Sequence, residues 1–400
     1  MFTPPEFILI KYTSSIKELT IGNTPKDLNK LIEEGFPLTS SLKIDNEEIG
    51  VNIYLFKQNT DLRATKDKDA IVYLNKIPGN QIEKWLDVYS HRFVNPVFRL
   101  FQSELETVYE EKNRSIDNVF GQVFELYSKN FFKNHPYGQQ SIIGTTDHLK
   151  NPSLSKMKEY FNTYYVANNM ALILTGDIYP DEILPLIEAK FGVWKSGEIP
   201  APIDITEQSF NGREKISRRM TPIKVGFMGY RTVPVGHDDE GALALSLQLL
   251  TNESKTGLID ELVVDRKIME AGAFNMDYVD MGAANFFFLP KLFFQSLTKA
   301  ENLVRGQIDK LKSGDFDDEY FNAVKLTMVR QHEEYIESME GRLFILADLF
   351  TKNKSWEDIV EWPGILKNIS KEEVMEVANT YFGDDYLVLH SKMGFPKKTK

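Results

Sequence analysis

Twice in this chain the tripeptide Asn-Thr-Tyr closes a helical stretch that leads into an apolar strand. The first copy, Asn162–Tyr164, precedes MALILT at 170–175, and the second, Asn379–Tyr381, precedes YLVLHS at 386–391. A nearly continuous apolar strand needs cover, and an amphipathic helix arriving just before it is the natural source. The same order of elements in two places points to a duplicated unit, so the expected fold is α+β. It comprises two homologous domains, each a mainly antiparallel sheet with helices packed on one face. A length of 400 residues agrees, being too long for one ordinary core. The Pro-rich run GEIPAP at 197–202 marks the joint. The expected division is therefore 1–200 for an N-terminal domain with an atypical first 60 residues, 201–219 for a linker, and 220–400 for the second domain.

Local pattern fills in the elements. A short helix is expected over 25–34, then strands at 50–56 and 70–74, and a helix at 81–93 with Ile82, Trp85, Tyr89 and Phe93 on one stripe. A long helical run over 97–132 is expected to break near Asp117-Asn118. Helices follow at 155–165 and 181–191, the latter closed by Gly192 in a left-handed cap. In the second half, strands are expected at 223–230, 271–280, 285–292 and 386–391. Helices are expected at 240–250, 257–270, 297–311, 317–338, 342–351 and 371–381, the last opened by the capping box Ser370-x-x-Glu373.

Charge and composition exclude several functions. The net charge of −11 leaves no cationic excess to neutralise phosphates, so no nucleic-acid surface is expected. Cysteine is absent, which removes disulfides and thiolate metal sites and leaves the compartment open. The opening MFTPPEFILIKYTSS has an apolar run too short for a signal peptide, and no later run is long enough to span a bilayer. The chain is expected to be soluble and not inserted in a membrane; its localisation is not readable.

One helix carries the candidate chemistry. In FQSELETVYEEKNRSIDN, whose Phe101, Leu105 and Val108 recur at helical spacing, Glu104 and Glu111 lie seven apart, two turns, and so share one helix face. Two such carboxylates can supply a metal with one oxygen ligand and one supporting group; the plainer reading is a solvated face. The acidic run DFDDE at 315–319 lacks the pattern of a calcium loop and reads as a helix start favoured by the helix dipole. His135, in HPYG, reads as a histidine packed in a loop.

Several ordered motifs then resemble one family, the pitrilysin/insulinase zinc metallopeptidases. These are E-x6-E with Val108 at its fourth step, HPYG at 135–138 followed by IGT at 143–145, YFNTYYVANNMALILTGD at 160–177, MGYRTVP at 228–234, and LVLHSKMGFP at 387–396. The resemblance covers roughly 60–400 and is to the N-terminal half of a long member. It implies two α+β domains of a half-clamshell, with Glu111 at a zinc-ligand position and Glu104 supporting it. It further implies an edge strand at LRAT, 62–65, whose backbone pairs with a peptide, with Ala64 matching the family pattern and Arg63 replacing an Asn. The other two ligands and the general base belong to H-x-x-E-H. None of His91, His135, His148, His237, His332 and His390 opens that motif. No catalytic residue is therefore assigned. Intact relatives use zinc; this chain is expected to bind none alone and to be a metallopeptidase-family protein without activity by itself. The alternative is a non-catalytic peptide-binding or partner subunit of a metallopeptidase complex. Its expected partners are peptides or a second metallopeptidase-like half.

Overall fold

The structure is a computed structural model. It describes residues 68–94, 96–98, 101–352 and 354–394, together with the backbone of four earlier strands. Those strands are β1 (Ile8–Ile10), β2 (Leu38–Ile44), β3 (Glu47–Leu55) and β4 (Asp61–Lys66), and β5 (Ile71–Lys76) follows. The helix expected at 25–34 lies outside the described residues. Next come α1 (Ile82–Val94), α2 (Phe101–Asp117), α3 (Val119–Phe131), α4 (Pro136–Gln139), α5 (Thr146–Lys150), α6 (Leu154–Tyr164) and α7 (Pro180–Phe191). The remainder is β6 (Arg213–Thr221), β7 (Val225–Thr232), α8 (Glu240–Leu250), α9 (Asp260–Val264), β8 (Glu270–Asp277) and β9 (Gly282–Leu289). Helices α10 (Leu297–Ser313), α11 (Asp318–Glu337), α12 (Met339–Thr351), α13 (Trp356–Asn368) and α14 (Lys371–Tyr381) then lead to β10 (Tyr386–Met393).

Two compact units result, one of residues 1–100 with 153–200 and one of 101–152 with 201–400. This differs from the expected division in two respects: the segment 101–152 packs in the second unit, and residues 213–219 of the expected 201–219 linker belong to strand β6 of that unit's sheet. The reason for the first is α3. Its Val123, Tyr127 and Phe131 form a buried cluster with Ala283, Leu387 and Leu389 of the second unit's sheet.

That sheet has the order β6-β10-β7-β9-β8, antiparallel throughout except for β6 beside β10. Period-two alternation separates its faces. Met228, Tyr230, Phe286, Phe288, Tyr386 and Val388 face a layer built from α8, α10, α11, α13 and α14, and this is the main core. The expectation of an α+β plan with a mainly antiparallel sheet holds. The expectation of helices on one face needs amending, because α3 covers the other.

In the first unit, β4 and β5 form an antiparallel ribbon, and β1, β3 and β2 form a second small sheet. Its core gathers Trp85, Leu86, Tyr89, Phe93 and Ile183 from α1 and α7, with Tyr73, Phe161, Tyr165 and Trp194 packed on them. The stretch 170–175, expected as a strand, joins no sheet among the described residues. Met170 and Leu174 instead pack into this cluster while Leu172 is exposed.

Two other expectations need correction, and one helix is additional. Only Asp260–Val264 of the helix expected at 257–270 is helical. The buried Asp260 carboxylate accepts hydrogen bonds from the Gly257 and Asn252 amides and the Thr251 hydroxyl, fixing a loop there. The chain then turns at Arg266, φ 55°, to enter β8. Gly192 is right-handed, φ −60°, and α7 ends instead by its N–H donating to Glu188 O. Helix α13 was not anticipated: Pro363 interrupts its pattern, although Ser355 and Asp358 form a capping box at its start.

Candidate functional site

Helix α2 breaks from α3 at Asn118, as its sequence indicates, because the Asn118 side chain accepts from the Gly121 amide and caps the new helix. Glu104 and Glu111 both lie on the exposed surface of α2, with Leu105 and Val108 half-buried. The helix buries a single residue, Lys112. Of the edge-strand pair, the structure gives the backbone: Arg63 lies opposite Leu74 and Ala64 opposite Tyr73 in the β4–β5 ribbon.

The HPYG segment is a structural knot, and each residue has a physical task. His135 caps α4, its Nδ1 accepting from the Tyr137 amide at 3.3 Å. With Nδ1 an acceptor, Nε2 carries the proton and donates to Asp280 Oδ2, 3.1 Å away. Pro136 occupies the first turn, where no amide hydrogen is needed. Tyr137 packs against Phe132 and Tyr278, and its hydroxyl accepts from the Asp280 amide. A Cβ on Gly138 would fall 2.3 Å from Ser128 O, so only glycine fits. Ahead of this knot, the nearly buried Glu207 accepts from the amides of Lys133, Asn134 and His135 and pairs with Arg231 at 3.0 Å. His135 is thus a packed loop histidine.

The MGYR motif is explained in the same way. Met228 and Tyr230 point into the main core, and Gly229 and Arg231 point towards α3. Tyr127 of α3 sits where a Cβ on Gly229 would be, 1.8 Å from its hydroxyl, and donates to Asn285 Oδ1 at 2.6 Å.

A buried ionic network, not anticipated, lies under the other face. Glu301 of α10 accepts two hydrogen bonds from the Arg213 guanidinium, each 2.6 Å, and one from the Tyr386 hydroxyl at 2.9 Å. His390 Nε2 lies 2.9 Å from Glu301 Oε2, but off the line of a well-formed hydrogen bond. Burial raises the Glu301 carboxyl, and its partners more than reverse this, holding it at about 2. The His390 imidazole is lowered, mainly by burial and against the pull of Glu301. In the sequence, Glu301 and Arg213 carry no signal, since they lie 88 positions apart.

Zinc needs about four nitrogen, sulfur or oxygen ligands in a tetrahedral set. Among the described residues no three His, Asp or Glu gather to hold a metal, and the chain has no cysteine. The exposed pair on α2 does not by itself fit a zinc centre.

Comparison with known proteins identifies the plan. Residues 153–328 match the peptidase M16 inactive domain. This segment of the chain is a domain of the peptidase M16 family. M16 relatives of the chain include the beta subunit of the mitochondrial-processing peptidase of Caenorhabditis elegans, 22% identical over 62% of this chain and 54% of that protein. An uncharacterised zinc protease of Bacillus subtilis is also 22% identical, over 83% of this chain and 81% of that one. A protease from Helicobacter pylori has the same fold, with a TM-score of 0.73 at 19% identity, covering 92% of this chain and 84% of that one. The chain spans about half the length of the first curated relatives it matches, 54% and 52%. It is a metallopeptidase-family protein. No described helix is long and apolar enough to cross a membrane.

Proposed function

We propose that this chain is a non-catalytic M16 half that works against a second metallopeptidase-like half, and hydrolyses no peptide alone. The observation that carries the reading is the absence of H-x-x-E-H from the sequence. Without it, two ligands and the base that would deprotonate a metal-bound water are missing. Glu111 is then a ligand position without its set, Glu104 its former support, and both remain hydrated on α2. A match to a domain described as inactive supports this, as does a relative named as a subunit.

In the same reading, a peptide would lie along β4, pairing with the backbone around Arg63 and Ala64. β4 pairs with β5 alone among the described residues, which leaves its other side for an added strand. The test is zinc titration of the dialysed chain by calorimetry, alone and mixed with an M16 chain that carries the motif. The expected result is no stoichiometric site alone and a stable mixed complex. One zinc per chain, retained through dialysis by the chain alone, contradicts the proposal.

A further inference from the structure

One end of the five-stranded sheet differs from the rest of this acidic chain. The register brings together the end of β6, the end of β10, the start of β7, the start of β8 and the end of β9. Arg219, Lys224, Arg266, Lys267, Lys291 and Lys392 lie there, against Asp265 and Glu270. That is an excess of four positive charges on a chain of net charge −11. Some of this charge has local partners: Lys267 pairs with Asp265 at 2.8 Å, Lys224 donates to Gln295 O, and Arg219 donates to Met393 O. The sequence beyond Gly394 continues Phe-Pro-Lys-Lys-Thr-Lys.

From the same end projects the turn between β9 and α10, Leu292-Phe293-Phe294. Phe293 is 75% exposed and Phe294 fully so, with Leu292 and Met269 also exposed. Single apolar residues on a surface are ordinary, but three in succession at a turn are not. The turn is also held in place. Buried Gln295 accepts from the Lys291 amide at 2.6 Å and donates to Lys267 O at 2.9 Å, which fastens the base of the turn to the segment before β8. Phe294 has φ 63°, a left-handed conformation that a bulky side chain rarely adopts. Strain of this kind persists only where surrounding contacts impose it, and it recurs at binding sites.

We propose that this end of the sheet is an interfacial anchor for an anionic lipid surface. The two phenylalanines enter the boundary between headgroups and acyl chains, and the cations around their base meet the lipid phosphates and carboxylates. An apolar tip and a basic patch are each weak alone; together they supply the two signals that stable peripheral binding requires. A lipid surface fits better than a protein groove, because the turn offers exposed rings and no side-chain hydrogen-bonding group between Lys291 and Gln295 to set a register.

The experiment is co-sedimentation of the full chain with vesicles of phosphatidylcholine, alone or with a quarter phosphatidylserine, at low and raised salt. The full chain should partition onto the phosphatidylserine vesicles, less onto phosphatidylcholine alone, and less as salt rises. The double variant Phe293→Ser/Phe294→Ser should lose about tenfold in partition at unchanged melting temperature, since both rings are exposed. Arg266→Glu/Lys291→Glu should lose the preference for phosphatidylserine. In Phe294→Trp the tryptophan emission should shift to the blue on the anionic vesicles. A chain that ignores anionic vesicles overturns the proposal, and so does a double serine variant that binds like the parent. If the chain ignores vesicles but self-associates in a way the double serine variant abolishes, the surface belongs to a second copy and the lipid assignment fails.

Discussion

Glu301 has no exposed surface and yet stays ionised, because Arg213 and Tyr386 direct three hydrogen bonds at its two oxygens. Its folded carboxyl lies at about 2 against an ordinary 4.5, so the folded state is favoured above 4.5 and loses that advantage as pH falls towards about 2. His390 is also lowered, from 6.5, so protonation below that value favours the unfolded chain. The melting temperature should therefore start to fall below about pH 6.5 and fall faster below about 4.5. Glu301→Gln should remove the steeper limb and cost about 2–4 kcal/mol at neutral pH, with the half-exposed Arg213 partly rehydrating. Denaturant melts of the variant at several pH values check both. Glu111→Gln, on the exposed face of α2, should by contrast change stability by no more than about 0.5 kcal/mol. A loss matching that of Glu301→Gln would show that the α2 carboxylate holds a network. Leu105→Ala belongs nearer the mild end too, because Leu105 is only half-buried.

At the scale of elements, α3 and its seat on the sheet show what the sequence reveals and what it hides. The boundary at Asn118 was legible, because an Asn between two periodic stretches can cap the second. The capping box at Ser370 was legible for the same reason. The repeat holds only in its helical half: Thr163 and Thr380, central in the two Asn-Thr-Tyr copies, each donate to the carbonyl four residues back, Glu159 and Glu376, but among the described residues only the second copy leads into a strand of a sheet, β10. Which sheet α3 covers was not legible, since an aromatic stripe of Val123, Tyr127 and Phe131 states that a face is buried but not against what. The partner's signature, a glycine in β7, has meaning only once Tyr127 is seen above it. Gly229→Ala should push Tyr127 out of register and cost about 1–3 kcal/mol by overpacking. Tyr127→Phe leaves Asn285 Oδ1 without its donor in a buried site and should cost about 1–3 kcal/mol. If both are neutral in urea melts, α3 is not seated as described.

For the whole molecule, ordered motifs carried the family and the α+β class because their residues do local structural work that any chain of this plan must do. The candidate site was less legible. E-x6-E names a position on a helix, and only the histidine motif would have said whether a metal belongs there. We propose that the joint between domains runs through 195–211, which has no regular structure and should be the first place a protease cuts. Early cleavage inside α6 would contradict it. The central claim, that this M16 chain lacks catalysis of its own, is tested most directly by incubating the purified chain with a quenched-fluorescent peptide library and added zinc, with and without a chelator. The account predicts no chelator-sensitive cleavage above the buffer rate. Chelator-sensitive turnover of about 1 per second or faster, the ordinary range for enzymes, would contradict it.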